Sequence, residues 1–584
     1  MPQDYLKELM KKAKQAKDEK SDKQEKLGQD IEVKKEDIDK ALELLEGNVI
    51  QKESGPLRKG TEQIYEKKTY YLNEPKREVS EKTFVKEETL GDKVPETQAD
   101  KEAKEAKKKK ILEQYGEITI YKIEGKEMPY YVVPSPRPTE TEKTVINTIK
   151  EVATRVISIN PYFIRDPEQR RVVYKEKILE ILSSAPELKI PKARFDFYAN
   201  AVVREMVGYG LIDQLVRDDG LEEIMVIGAH RPVYVFHRKY EMMKTNVEFI
   251  SDEEINDLIN RIGREIGRRV DFSNPLLDAR LPDGSRVNAT IAPASVSGST
   301  ITIRKFRKDP YSLIDLVKFN TLSSEAAAFL WVCTEGLKVK PANILISGGT
   351  GSGKTTLLNV LASVVPNNER IVTIEDTAEL NLPLDHWVRL EARPPGLEGR
   401  GELTLDILTK NSLRMRPDRI IVGEIRHDEA FSLFTAMNTG HAGSLGTVHA
   451  NSAKETLVRV TSPPMNVPNM MLSGLDLIIV EHRIHDKKLG TIRRVIEISE
   501  VSGVLEGRSD TMPLFEWNAK TDNLERTSMP SNFMKELEKY SGLNQKQLLD
   551  KIEERKRFIE MLIKKDTHDI NQVKAEMELF LNKD

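Results

Sequence analysis

Residues 344–365 read ILISGGTGSGKTTLLNVLASVV. Ile344, Leu345 and Ile346 have the length and composition of a buried strand. Gly348 and Gly353 then bracket Gly349, Thr350, Gly351 and Ser352, and Lys354, Thr355 and Thr356 follow. From Thr356 to Val364 the chain reads as a helix. Strand, glycine-rich loop and helix in that order predict a phosphate-binding loop. Glycines let successive backbone N–H groups converge on phosphate oxygens, and the helix N-terminus adds a favourable dipole. Lys354 is expected to reach the β- and γ-phosphates, and the Thr355 hydroxyl to ligate Mg²⁺. The cradle residues are therefore Gly348 through Thr356, and the expected cofactors are ATP and Mg²⁺.

Two further apolar runs lead into acids. Ile371-Val372-Thr373-Ile374 runs into Glu375, Asp376 and Glu379, and Arg419-Ile420-Ile421-Val422 runs into Gly423 and Glu424. Carboxylates at the C-terminal ends of neighbouring parallel strands share an edge with a loop such as 348–355. There they hold Mg²⁺, position a water or accept its proton. Position 423 is Gly where many NTPases carry Asp, so Glu424 is the expected acid on the metal side. The following loop, TGHAGSLGTVHANS (439–452), is bracketed by His441 and His449; His449, at the end of the strand GTV, is the candidate to touch the γ-phosphate. Upstream, Arg280, Arg286, Arg304 and Arg307 crowd together in sequence. Arg286 follows the turn Pro282-Asp283-Gly284 and is expected to project from a hairpin tip. A guanidinium fork suits phosphate oxygens. Beside a neighbouring subunit's nucleotide it would serve as an arginine finger, worth ~10³–10⁵ in rate in other NTPases. Arg414, Arg416 and Arg426 flank the third strand and are further candidates for the same pocket.

Outward from these motifs, an α/β domain with a central sheet is expected over 321–584, ending in a strand at LFEWNAKTDNLER and two charged helices whose paired charges read as a solvated face. Residues 309–320 read as a connector and natural hinge. Residues 116–308 read as a mixed α/β domain, helical to about 220, with Ser251 capping an amphipathic helix. Pro134, Pro136 and Pro138 mark a hinge before it. Residues 1–115 differ: the first 110 hold 27 Lys/Arg and 26 Asp/Glu. Such a segment buries too little apolar surface to offset its ordering entropy. It reads as charged helices and linker, with a docking arm as the sharper alternative.

The 584 residues carry 91 Lys/Arg and 94 Asp/Glu, net −3. That balance argues against a dedicated nucleic-acid binder. A nucleic-acid translocase would need basic loops interleaved with aromatics, and FTAMNTGHAG (434–443) is not basic. A nucleotide-dependent switch would not need the full set of acids. A single cysteine, Cys333, excludes an internal disulfide and fits a reducing compartment. No apolar run approaches the ~18 residues of a spanning helix, so a cytoplasmic protein reaching the membrane through partners is expected.

Taken together, GGTGSGKTT, IEDTAEL, RMRPDRIIVGEIR and TGHAGSLGTVHANS resemble, in type and order, the Walker A motif, Asp box, Walker B motif and His box of secretion ATPases of the type II/type IV pilus superfamily. The resemblance spans roughly 200–500. RPVYVFHRKYEMMKTN, DFSNPLLDARLPDGSRVNATI, TITIRKF, LDHWVRLEARPP and SPPMNVP look like the archaeal branch, nearest the archaellum motor ATPases, with archaeal type IV pilus assembly ATPases as close rivals. The resemblance implies a PAS-like domain tethered to a RecA-like ATPase domain in a homohexamer. It implies Glu379 as the water-activating acid, Glu424 as the Walker B acid and His449 as the His-box residue. Arg280, Arg286 and Arg304 are the implied arginines reaching from the upstream domain, Arg286 first. It also implies a polytopic membrane platform protein and accessory cytoplasmic motor subunits as partners. Many bacterial relatives carry a tetracysteine zinc site, which one cysteine cannot build.

Overall fold

Alternation of buried and exposed residues, every second position, organises the chain between 221 and 304, while continuous apolar runs organise it between 344 and 480. The computed structural model describes residues 109–582, apart from 135–136, 158–163, 165, 185–189, 308, 394, 396–399, 487–489 and 506–507. The charged segment up to residue 108, its suggested docking arm and Pro136 lie outside the described residues.

The first sheet holds β1 (Lys109–Tyr115), β2 (Ile118–Ile123), β3 (Tyr130–Val132), β4 (Leu221–Val226), β5 (Pro232–His237), β6 (Glu241–Glu248), β7 (Leu276–Arg280), β8 (Arg286–Thr290) and β9 (Thr300–Arg304). Their order is β1-β2-β3-β6-β5-β4-β9-β8-β7. Between β3 and β4, helices Glu140–Val156, Pro167–Ser184 and Phe195–Met206 build a core of their own around Ile149, Ile178 and Val202. The helix Asp252–Glu265 buries Ile255, Leu258, Ile259 and Ile262 against the sheet, and Ser251 caps it by accepting from the Glu254 N–H. The sheet begins earlier than residue 116. β1 starts inside the lysine run at 107–110 because it is an edge strand, and edge strands tolerate Lys on open faces.

The second sheet holds β10 (Ile344–Gly348), β11 (Ile371–Glu375), β12 (Trp387–Glu391), β13 (Arg419–Ile425), β14 (Leu445–Val448), β15 (Leu477–Asp486), β16 (Gly490–Leu505), β17 (Arg508–Asn518) and β18 (Asn523–Arg526). Their order is β12-β11-β13-β14-β10-β15-β16-β17-β18. From β12 to β15 every pairing is parallel; from β15 to β18 every pairing is antiparallel. β10 and β11 are buried throughout, which is why their sequences are unbroken apolar runs. LFEWNAKTDNLER is a hairpin, β17 turning into β18, rather than one strand.

Two further expectations are corrected. The connector 309–320 contains a helix, Leu313–Lys318, with a capping box at Ser312 and with Leu313, Ile314 and Leu316 buried in the second core. The tail holds three helices, Asn532–Ser541, Gln545–Lys564 and Ile570–Leu581, and it is not a solvated appendage. Leu548, Ile552, Ile559 and Leu562 are buried, and the Trp331 ring lies against both Phe558 and Phe580. Charge pairs such as Lys551–Glu554 and Glu553–Arg557 cover only the outer face.

Candidate nucleotide site

Because β10, β11, β13, β14 and β15 run parallel, their C-terminal ends share one edge of the sheet. Gly348 closes β10, Glu375 closes β11, Glu424 stands near the end of β13, His449 follows β14, and Glu481 lies opposite Gly348 on β15. The loop 349–353 leaves that edge and enters the helix Lys354–Ser363. Gly351 and Gly353 hold positive φ of 70° and 114°, a conformation that favours glycine. Thr350 is exposed, Ser352 is buried, and Thr355 and Thr356 stand half-buried in the first helical turn. Lys354 Nζ folds back onto its own loop, donating to the carbonyls of Gly348 and Gly349 at 2.9 Å each. Burial lowers its basicity while the nearby Glu424 carboxylate opposes that shift.

Burial pushes the Glu424 carboxyl up, but it accepts from Arg426 at 2.6 Å and feels Lys354 and His449. The net shift is downward, so it stands ionised. The neighbouring Gly423 has a packing reason: a Cβ there would meet Glu375 Cγ at 3.0 Å. An Asp at 423 would crowd the floor of the edge. Asp376 is exposed, and Arg426 lies 3.8 Å from it.

Glu375 does not face solvent. Its Oε1 accepts from the backbone N–H groups of Glu379 and Leu380 at 2.9 Å each, and the residue is 2% exposed. From the other side Arg389 donates to the carbonyls of Ala378 and Leu380 and lies over the Trp387 ring. These two side chains fix the turn that presents Glu379. Burial raises the Glu375 carboxyl to about 7. A folded value above the ordinary 4.5 means that the folded state binds more protons between pH 4.5 and 7. Stability therefore falls as pH rises through that window and levels above it. Glu375→Gln removes this slope: the thermal midpoint of the variant relative to the parent should be higher at pH 7.5 than at pH 5, and parallel curves would contradict the assignment.

The arginines arrive from the other sheet. Cross-strand register places Arg280 opposite Arg286 and Arg286 opposite Arg304, a row of three cations across β7, β8 and β9. Like charges directly opposite one another are destabilising, and acids relieve them. Arg286 makes a double hydrogen bond to Asp278, Arg280 reaches Glu391 at 3.1 Å, and Arg304 lies 3.8 Å from Glu379. Arg286 is thus tethered beside the hairpin tip rather than projecting from it, and Arg304 stands nearest the Asp-box acid. Arg307 is elsewhere, stacked on Tyr311 and bonded to the Asp309 carbonyl.

Three candidates fall away from this edge. His441 sits before β14 begins, at the opposite rim from His449. Arg414 and Arg416 precede β13 and share that far rim; Arg426 alone of the three flanking arginines lies on the site side. Two site residues outside the motifs are Arg389 and Glu481. The sequence signal for Glu481 is the one carried by Glu375 and Glu424, an apolar strand, Leu477-Ile478-Ile479-Val480, running into a carboxylate. Arg389 has no such signal, because its role depends on β12 pairing beside β11.

Residues 205–507 match the sequence model of the type II/IV secretion system protein family. The chain belongs to that family. Among relatives of this secretion family, an uncharacterized protein of Methanocaldococcus jannaschii is 54% identical over 239 residues, 40% of this chain and 33% of its own length. A second uncharacterized M. jannaschii protein is 33% identical over 404 residues, 68% of this chain and 72% of that one. The type IV secretion system protein VirB11 of Bartonella henselae is 31% identical over 320 residues, 47% of this chain and 88% of that one. The chain thus spans a third of the first of these relatives. Among the described residues no helix is long and apolar enough to cross a membrane.

Proposed function

We propose that this protein is a cytoplasmic, hexameric, Mg²⁺-dependent ATPase that assembles or rotates an archaeal pilin-like filament, as an archaellum motor does, by pushing on a polytopic membrane platform protein with accessory motor subunits. One observation carries the reading: a glycine cradle, an ionised carboxylate at Glu424 and a clamped turn bearing Glu379 share one sheet edge, and a row of arginines from a separate sheet faces it. Nucleotide held there would bridge the two sheets, so hydrolysis and release would change their relation. The antiparallel order β5-β4-β9-β8-β7 supports a PAS-like reading of the upstream domain.

Within this reading each residue has a task. Backbone N–H groups of 349–355 hold the phosphates, Glu379 orients and deprotonates the attacking water, and His449 hydrogen-bonds the γ-phosphate. Arg304, Arg280 and Arg286 offset developing charge on the phosphoryl group. Among the described residues no cluster of three or more His, Cys, Asp or Glu could cage a metal ion. That fits Mg²⁺ delivered on a nucleotide, which needs one or two protein oxygens beside phosphates and water. Thr355 and Glu424 would supply those oxygens, and the ion would withdraw charge from the transferring phosphoryl group.

The test is steady-state phosphate release by the purified full chain with Mg²⁺-ATP. Turnover that requires Mg²⁺ is expected, and none under any Mg²⁺ or nucleotide condition contradicts the reading. In host cells carrying Glu424→Gln, loss of swimming supports the motor. Intact swimming with loss of surface pili points instead to pilus assembly, and intact swimming and pili with loss of protein export to the secretion role named for the VirB11 relative.

A further inference from the structure

Beneath the phosphate loop lies a floor that the proposed chemistry leaves unused. Glu481 is 2% exposed, and its Oε2 has no hydrogen-bond partner. The Oγ of Ser352, a residue 1% exposed, is likewise unpartnered. Both groups press on the cradle. A Cβ at Gly353 would stand 2.5 Å from Glu481 Oε1, and one at Gly348 would stand 2.5 Å from Ser352 Oγ and 2.2 Å from the Glu481 carbonyl oxygen. The first and last glycines of the motif are therefore glycines because this floor exists, as well as for phosphate access. No ion pair reaches the Glu481 carboxylate among the described residues. The cations facing it are Lys354, at the start of the loop helix, and Arg493 on β16, whose Nε bonds the Gly351 carbonyl at 3.1 Å. Arg483, on its own strand, lies near Gly351.

A buried carboxylate with an unpaired oxygen is costly in its charged form, and under a cradle for a polyanion it would also repel the ligand. A protonated carboxyl has one O–H to donate and no charge. We propose that Glu481 is a positioning residue of the phosphate cradle, a neutral carboxyl that props the Gly353–Lys354 turn from below and leaves Lys354 to the nucleotide. Burial raises this group to about 8, so it holds its proton at neutral pH and loses it above. The inference rests on the nucleotide reading of the loop.

The measurement is KM and kcat for ATP between pH 6.5 and 9 in the full chain, with Glu481→Gln and Glu481→Leu. The parent KM should rise about fivefold from pH 7 to pH 9 with little change in kcat, since ionisation weakens binding rather than the chemical step. Glu481→Gln, permanently neutral and still a donor, should keep the parent KM at pH 7 and lose the rise. Glu481→Leu should raise KM about tenfold at pH 7. If Glu481→Leu does not fold, the Gln profile decides alone. Coincident parent and Gln profiles, with the parent binding ATP, overturn the role of Glu481 and leave the cradle standing. Failure of the parent to bind ATP at any pH overturns both.

Discussion

Lys354→Ala is expected to lower kcat for ATP hydrolysis by about 10²–10³, the loss typical of removing one preorganised charge donor from a developing oxyanion. The geometry gives the reason. Lys354 is the one cation on the cradle itself, placed between Glu424 and Glu481 and parked on the carbonyls of Gly348 and Gly349. Phosphate oxygens would draw it off those carbonyls. Its removal leaves the phosphates facing the ionised Glu424 without an intervening positive charge. The fold should survive, because the side chain is only half-buried and its two bonds stay within its own loop. Phosphate release at saturating ATP, alongside an unchanged thermal midpoint, checks both halves. A variant that hydrolyses at the parent rate would show that the loop is not the phosphate site.

The second large effect is on stability. Arg555 is 1% exposed, donates to Glu335 at 2.8 Å and lies over the Trp331 ring at 5.2 Å. Glu335 is itself 2% exposed. Arg555→Ala strands that carboxylate in the core and should cost about 3–5 kcal/mol. For a domain of this size that is a fall of roughly 10 °C in the melting midpoint. Replacing both partners, as in Arg555→Met with Glu335→Met, should recover most of the loss, because the penalty lies in the unpaired charge. A single variant melting with the parent would mean that the terminal helices are not part of the core.

The cradle is legible in sequence because strand, loop and helix are contiguous there, and so are the acids that end β11 and β13. Ser251 is legible as a cap for the same local reason. What depends on pairing across the chain is not. The arginine row needs β8 to lie between β7 and β9, and residues 280, 286 and 304 carry no spacing that announces it. The Asp278 tether on Arg286 arises from the same hairpin register. Arg555 hides the buried stripe of its helix, since an arginine among Lys551, Glu553 and Glu554 reads as surface until Glu335 is brought against it. β1 is masked by its own lysines, and the helix 313–318 is too short for periodicity to reveal.

The decisive experiment is the structure of the full chain with Mg²⁺ and a non-hydrolysable ATP analogue. There Lys354 Nζ should have moved from the Gly348 and Gly349 carbonyls onto the γ-phosphate, with Thr355 and Glu424 on the metal side and Arg304 turned toward the nucleotide. An analogue bound away from residues 348–356, or a Lys354 still seated on its own loop, would contradict it.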